Sequence, residues 1–305
     1  MLALVRDPEA PSGLRRAEVP EPVPRPDQAL IAVAHASANF GDLRYLAYRE
    51  PGTILGYDAA GVVVAAAADG SGPAVGTRVA GLGPGAWAQR VAIATRDLAE
   101  VPSEVDLADA AALPVAGVTA LRTLRAAGPL LGRRVLITGA AGGVGRFAVQ
   151  LARRGGAHVI ASVGSPARAE GLDQLGAHEV VVGLDGLEPV DVVLETVGGA
   201  HLVTAWGLLR PGGSLFSIGW ASGEPATFPV NSTFSPGPAR TLHSFGDSTD
   251  VGPDLAILLA LARAGELSPE VGWRGSWDQL PDAAAELFAR RVPGKIVIDI
   301  PPDMG

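Results

Sequence analysis

From Arg134 onward the chain alternates two hydrophobic rhythms. Short stretches with apolar centres, the mark of strands buried on both faces, predict strands at 134–138, 157–163, 179–182, 191–195 and 213–218, with a further strand at 241–245. Between them lie stretches with apolar residues at three- and four-residue spacing, which predict helices over 143–154, 166–174, 199–209 and 253–264. This alternation implies an α/β fold, with a parallel sheet wrapped by helices on both faces. Upstream the rhythm changes. Leu30-Ile31-Ala32-Val33-Ala34-His35-Ala36 and Ala60-Gly61-Val62-Val63-Val64 are short runs punctuated by proline and glycine, so residues 1 to about 100 read as β-rich. Prolines at 20, 22, 24 and 26 rule out helix there and predict an extended loop. Residues 106–113 and 115–126 read as helices, and Gly294-Lys295-Ile296-Val297-Ile298-Asp299-Ile300 as a strong terminal strand.

One stretch organises this pattern. Val135-Leu136-Ile137 runs through Thr138 into Gly139-Ala140-Ala141-Gly142-Gly143-Val144-Gly145 and on into a helix whose Val144, Phe147, Ala148 and Leu151 share a face. Glycines at 139, 142 and 145 let the backbone turn tightly and approach a pyrophosphate, to which a helix N-terminus offers free N–H groups and partial positive charge. A glycine loop alone is weak evidence. Here it lies between a strand and a helix, with another strand one βαβ unit on.

Composition bounds the function. The 305 residues suit two domains, and 48% hydrophobic with 18% charged reads as globular. The net charge of −8 and the absence of a dense basic stripe argue against a general nucleic-acid role. With no cysteine, disulfides and thiolate metal sites are excluded. Apolar runs such as 62–68 are too short for a membrane span, and the N-terminus lacks the basic-then-apolar order of a signal peptide, so the expectation is a cytoplasmic protein.

Seven pieces, weak singly, resemble the medium-chain dehydrogenase/reductase superfamily when taken in order, and most closely its zinc-independent quinone oxidoreductase branch. They are Asn39-Phe40-Gly41-Asp42, Gly56-Tyr57-Asp58-Ala59-Ala60-Gly61, Gly76-Thr77-Arg78-Val79, the stretch 111–120 around Leu113-Pro114, the glycine loop, Glu195-Thr196-Val197-Gly198-Gly199, and Gly294-Lys295-Ile296-Val297. The resemblance implies a chaperonin-10-like β-rich catalytic domain built from both chain ends, 1–105 and 265–305, and a Rossmann dinucleotide-binding domain over 106–264. The glycine loop also fits the short-chain reductase pattern. That family begins near its loop and needs a later Tyr-x-x-x-Lys, whereas here about 130 residues precede the loop and no tyrosine follows it.

The site residues come from the same resemblance. Zinc relatives use a cysteine and a His-Glu pair. This chain has Tyr57-Asp58 at that place and five scattered histidines, so no metal is expected. Gly139, Ala141, Gly142, Gly143, Val144 and Gly145 are expected around the pyrophosphate and Thr119 at the carboxamide. Val197, Ile218, Gly219, Trp220 and Lys295 complete the expected cofactor contacts. The exit of the strand at 157–163 carries no acid for the ribose hydroxyls. Ser162, Ser165 and Arg168 stand there instead and favour NADPH, although Ser165 also suits a helix N-cap and Arg168 a solvated helix face. The family's Asn-Tyr after the third strand is replaced by Val182-Gly183, and its Gly-Asn by Gly219-Trp220. Trp220 either shapes a pocket or anchors a loop, and Trp87, Phe234 and Phe245 are further candidates for an aromatic wall.

Asn39 and Asp42 match positions near nicotinamide and substrate; a turn pair capping the next helix is the plain alternative. Tyr48, or Tyr45 if the alignment shifts, stands where related enoyl reductases carry a tyrosine that donates a proton, and surface packing is its alternative. The expected activity is metal-free, NADPH-dependent hydride delivery to an α,β-unsaturated carbonyl compound or quinone, with an enoyl thioester as the alternative substrate. A non-catalytic NADPH-binding sensor is the alternative outside enzymes. A homodimer is expected through the sheet edge formed by 215–219 and 241–245, near Pro236-Gly237-Pro238, with neither nucleic acid nor membrane as partner.

Overall fold

The computed structural model describes residues 1–234 and 236–302. They form two compact units, one of residues 1–118 and 248–302 and one of the described residues between 119 and 247. In chain order the first unit runs through β1 (Leu2–Arg6), β2 (Leu14–Glu18), β3 (Gln28–Ala38), α1 (Phe40–Arg44), β4 (Asp58–Ala65), β5 (Arg78–Leu82), β6 (Arg90–Ala94), β7 (Leu98–Glu100) and α2 (Leu107–Ala111). Helix α3 (Pro114–Ala126) leads into β8 (Arg134–Ile137), α4 (Gly143–Arg154), β9 (His158–Val163), β10 (Glu179–Val182), β11 (Val190–Glu195), α5 (Gly199–Gly207), β12 (Leu209–Ser217) and β13 (Thr241–Ser244). The chain returns to the first unit with α6 (Gly252–Arg263), β14 (Val271–Ser276), α7 (Leu280–Phe288) and β15 (Lys295–Asp299).

The second unit is a six-stranded, wholly parallel sheet in the order β10-β9-β8-β11-β12-β13. This is the doubly wound Rossmann arrangement, in which the order reverses beside β8. Val135, Leu136 and Ile137 on β8 and Val192, Val193 and Leu194 on β11 are fully buried, as an all-apolar central strand requires. Helix α4 buries Phe147, Ala148 and Leu151 and packs on β8 and β9. It keeps the predicted bounds, 143–154. The predicted helix at 166–174 is instead one turn of 3-10 helix, Pro166–Arg168. Gly171 takes φ +77°, and the Arg146 guanidinium draws the Glu170 carbonyl outward at 2.9 Å, so α-helical bonding cannot continue.

The first unit holds a seven-strand β-sheet in which the long β3 pairs antiparallel with β15, β4 and β6. Its core gathers Leu4, Ile31, Val33, Trp87, Ile93, Trp277 and Ile298. Helix α2 packs on β3, β4 and β5, and α6 on β5 and β7. The unit boundaries therefore fall at 118/119 and 247/248, where the sequence reading has 105/106 and 264/265. Strand register brings distant residues together at one end of this sheet. Ser37 lies opposite Asp58 across β3 and β4, and Ala38 opposite Ile296 across β3 and β15. The last residues of β3 and the first of β4 and β15 thus converge beside Asn39.

Candidate functional site

In the second unit the chemistry-bearing turns leave the C-terminal ends of parallel strands. The glycine turn follows β8, Gly164 to Arg168 follow β9, Thr196 to Gly198 follow β11, and Ile218 to Trp220 follow β12. Strands β8 and β11 flank the point where strand order reverses, which is where open α/β sheets bind ligands. Gly142 caps α4 with extended backbone, φ −81° and ψ 176°; no side chain caps the helix and no acid lies in its first turn. The first amides of α4 are therefore left for an anion. A Cβ on Gly145 would stand 2.6 Å from the carbonyl oxygens of Gly139 and Ala140, and one on Gly139, at φ +58°, would collide with Thr196 Oγ1. These residues fit a dinucleotide pyrophosphate.

A buried carboxylate holds the two central turns together. Glu195 is fully buried, and its Oε1 accepts from Thr138 Oγ1 at 3.1 Å and from Val197 N at 3.0 Å, while Oε2 accepts from Gly198 N at 2.9 Å. Thr138 and Thr196 are cross-linked in turn: Thr196 N donates to Thr138 Oγ1 and Thr196 Oγ1 to Thr138 O, both at 2.9 Å. Ile218 N and Gly219 N donate to Glu195 O, bringing the end of β12 onto the same turn. The Trp220 ring lies against Gly198, and its Nε1 donates to Glu224 O. Val197, Ile218, Gly219, Trp220 and the glycine loop are thus gathered in one place.

Other predicted cofactor residues behave differently. Ser162 is buried and its hydroxyl donates to Gly183 O at 2.9 Å, so that hydrogen is unavailable to a phosphate. Ser165 and Arg168 flank the exposed Gly164, around which a Cβ would meet nothing. Thr119 lies on α3, where its carbonyl accepts from Thr123 Oγ1 at 2.7 Å. Trp87 is no wall residue: it is fully buried, donates to Ser37 O and fills the space over Gly56. Phe234 is 81% exposed.

In the first unit Lys295 is the centre of a buried polar network. Its Nζ donates to Asn39 Oδ1 at 2.6 Å and to Asp58 Oδ2 at 3.3 Å. The same Asp58 oxygen accepts from Ser37 Oγ at 2.6 Å and Asn39 Nδ2 at 2.9 Å, and Asp58 Oδ1 accepts from Val115 N, a first-turn amide of α3. Asn39 Nδ2 also donates to Asp42 Oδ2 at 3.1 Å, and Asn39 N to the same oxygen at 2.9 Å. Ammonium groups only donate and carboxylates only accept, which fixes the orientation of the Asn39 amide. Burial, reinforced by the Asp58 carboxylate, pushes the Asp42 carboxyl up from 3.8 to about 6. A carboxyl whose folded value exceeds its unfolded one favours the fold fully below about pH 4, and that contribution is lost as pH rises through about 6.

This network corrects two expectations. Asn39 cannot orient a substrate carbonyl as a donor here, because both amide hydrogens are committed to Asp42 and Asp58. Lys295 is 2% exposed and serves as the counter-ion of Asp58 rather than as a free cofactor ligand. Tyr48 ends a 3-10 turn, Leu46–Tyr48, and is 84% exposed, with its ring 6.3 Å from that of Tyr45. Ser37 and Asp58, not singled out as site residues in the sequence, complete the network. Their signal was present: an acid opening an apolar strand at Asp58-Ala59-Ala60 and the chain's one lysine opening another at Lys295-Ile296-Val297. Two buried opposite charges on sheet strands call for each other.

Comparison with known proteins accords with this construction. The alcohol dehydrogenase GroES-like domain model matches residues 25–103 and the zinc-binding dehydrogenase model residues 143–256. A quinone oxidoreductase of Pseudomonas aeruginosa is 32% identical over 298 residues, covering 90% of this chain and 92% of its own. Prostaglandin reductase-3 of Bos taurus is 30% identical over 328 residues, covering 95% and 85%. The spectinabilin polyketide synthase system protein NorB of Streptomyces orinoci is 36% identical over 296 residues; that match takes in 91% of this chain, which spans only 13% of NorB. Among solved structures, the mycobacterial protein Rv1454c complexed with NADPH superposes with a TM-score of 0.89 at 25% identity, covering 98% of this chain and 100% of that one. The chain belongs to the medium-chain dehydrogenase/reductase superfamily, and within it to the oxidoreductases related to quinone oxidoreductase. Among the described residues no three His, Cys, Asp or Glu side chains gather as a metal site requires, and no helix is long and apolar enough to cross a membrane.

Proposed function

We propose that the protein is an NADPH-dependent reductase acting on an α,β-unsaturated carbonyl compound or a quinone. The observation that carries the cofactor half is the α4 N-terminus, glycine-lined, uncapped and free of acid, at the point of strand-order reversal. Gly142, Gly143, Val144 and Gly145 hold the pyrophosphate, Val197 and residues 218–220 flank the nicotinamide, and Thr119 meets its carboxamide. When bound, the cofactor supplies a hydride from C4 of the nicotinamide. The chain's own residues bind and orient it. The names of the two full-length relatives, a quinone oxidoreductase and a prostaglandin reductase, support an electron-poor acceptor. The likeness to a polyketide synthase protein favours an acyl thioester as the second substrate reading. NADPH oxidation across a panel of quinones, enones and enoyl thioesters tests all three; cofactor binding without turnover on any of them would leave a sensor instead.

NADPH is favoured over NADH because the exit of β9, residues 164–168, carries Ser165 and Arg168 and no acid. Arg168→Ala should weaken NADPH at least tenfold while changing NADH little, since a charge-assisted bond to the 2′-phosphate, worth about 1.5–3 kcal/mol, is lost. Equal losses in titration calorimetry with the two cofactors would remove Arg168 as the discriminator.

Assembly belongs to the same reading. Strand β13 is the sheet edge among the described residues, pairs only with β12 on one side, and has all four residues exposed, Leu242 by 45%. A bare edge of this kind pairs or aggregates. A second copy related by a two-fold axis closes it. Light scattering at micromolar concentration should give twice the 31.0 kDa of one chain, and a monomer mass would refute the dimer.

A further inference from the structure

Arg146 is a buried cation in a helix whose N-terminus alone the cofactor reading uses. It lies one turn into α4, where its amide donates to Gly142 O at 3.0 Å, and it is 7% exposed. Its guanidinium leaves α4 for the segment after β9. There Nη2 donates to Glu170 O at 2.9 Å and Nη1 to the same oxygen at 3.5 Å. Within that segment Arg168 N donates to Ser165 O at 3.1 Å, Ala169 N to Pro166 O at 3.1 Å and Leu172 N to Ala169 O at 3.2 Å. These bonds shape the turn from within. The Arg146 guanidinium ties it to α4 from outside, and the fully buried Leu172 seats its far end. Gly171 keeps the tie open. It takes φ +77°, and a Cβ there would stand 3.3 Å from Arg146 Nη2 and 3.7 Å from Nη1, so a side chain at 171 would crowd the guanidinium.

We propose that Arg146 is a positioning residue for NADPH selectivity: from α4 it sets where the Ser165–Arg168 turn stands, and so where Arg168 meets a 2′-phosphate. The inference rests on the NADPH reading, in which the α4 amides hold the pyrophosphate and Arg168 the 2′-phosphate. One side chain then links the two phosphate-binding places within the second unit. Arginine suits the task, because two of its N–H groups can hold one carbonyl oxygen in a fixed plane while its apolar stem packs in the core. A turn already held in place loses less freedom when it takes up a ligand. The tie therefore favours the cofactor that bears the extra phosphate and does nothing for the one that lacks it.

The free protein gives the first readout. Arg146→Met keeps an unbranched stem in the core and removes the guanidinium. Hydrogen exchange at the Arg168 and Ala169 amides, which close the turn, should then quicken by about fivefold. Gly171→Ala reaches the same contact from the other side and carries the test where Arg146→Met does not fold. Exchange at native rates in both variants would show that the turn holds itself, and the positioning role would fall.

Titration calorimetry gives the second. Arg146→Met should weaken NADPH about fivefold and leave NADH within about twofold, and Gly171→Ala should shift the ratio the same way. Arg146→Lys, whose ammonium still donates to a carbonyl, should recover NADPH binding to within about twofold of the native protein. Since Arg146 acts through Arg168, the double variant Arg146→Met, Arg168→Ala should bind NADPH within about twofold of Arg168→Ala alone, whereas independent roles would multiply the two losses. Equal losses on the two cofactors, losses that multiply, or native NADPH affinity in Arg146→Met (in Gly171→Ala where that variant does not fold) each overturns the positioning role while leaving the NADPH reading in place. A native protein that binds NADH as tightly as NADPH, or an Arg168→Ala variant that weakens both alike, overturns that reading and the positioning role with it.

Discussion

Lys295→Met should destabilise the protein by about 3 kcal/mol at neutral pH, measured by urea denaturation. The ammonium is 2% exposed and stands 3.3 Å from an Asp58 carboxylate that is itself fully buried. Removing one partner of a buried pair leaves the other charge without compensation, and such losses run to about 3–5 kcal/mol. The lower end applies here because Asp58 keeps Ser37 Oγ, Asn39 Nδ2 and Val115 N as donors. Asp58→Asn in the same background should return part of the loss, since an amide needs no counter-ion. A single-variant loss below about 1 kcal/mol would mean that hydrogen bonds, and not the ion pair, hold this corner. The substitution also frees the Asn39 carbonyl, so the loss reports on the network and not on one contact.

How far the sequence could be read depended on how local each signal was. The central strands of the parallel sheet are buried on both sides, so β8 and β11 carry the apolar centres Val135-Leu136-Ile137 and Val192-Val193-Leu194 and could be placed to within a residue or two. Helix α4 was legible because a glycine turn starts it and Gly155-Gly156 ends it. The stretch after β9 was not, because its helical spacing competes with a tertiary bond: Arg146 takes the Glu170 carbonyl. The glycine loop was readable as a motif, whereas the Lys295–Asp58 pair joins residues 237 apart in the chain, and only the fold brings them together. Ser162 shows the same limit at short range. Its type suits a phosphate ligand, but the register of β9 beside β10 turns the hydroxyl onto Gly183 O. Tyr48 had the right residue type near the right place, yet the 3-10 turn that carries it exposes the side chain.

Glu195→Ala should cost about 3 kcal/mol as well, and for a different reason: it breaks no ion pair of strong cations but leaves donors without acceptors. The carboxylate takes two consecutive backbone amides, Val197 N and Gly198 N, together with Thr138 Oγ1. The Thr138 and Gly198 bonds are buried and the Val197 bond part-buried, and each buried donor left unpaired costs about 1–3 kcal/mol before any relaxation. The neighbouring His201 Nδ1, 3.5 Å from Glu195 Oε1 and without a hydrogen-bond partner, cannot compensate, since it too would face a cavity. Gly198 caps α5 with no side-chain bond of its own, so the helix loses the anion at its N-terminus at the same stroke. Glu195→Gln separates the contributions. An amide keeps one oxygen for a backbone N–H but turns an NH2 toward the other, so it should recover part of the alanine loss and no more. A local consequence accompanies the global one: the Thr196–Gly198 turn links the glycine loop to the end of β12, and freeing it should weaken NADPH binding about tenfold in calorimetric titration, which corresponds to about 1.4 kcal/mol. A Glu195→Ala protein with native urea stability would show that the carboxylate is replaceable there and that the threonine cross-link alone holds the turn.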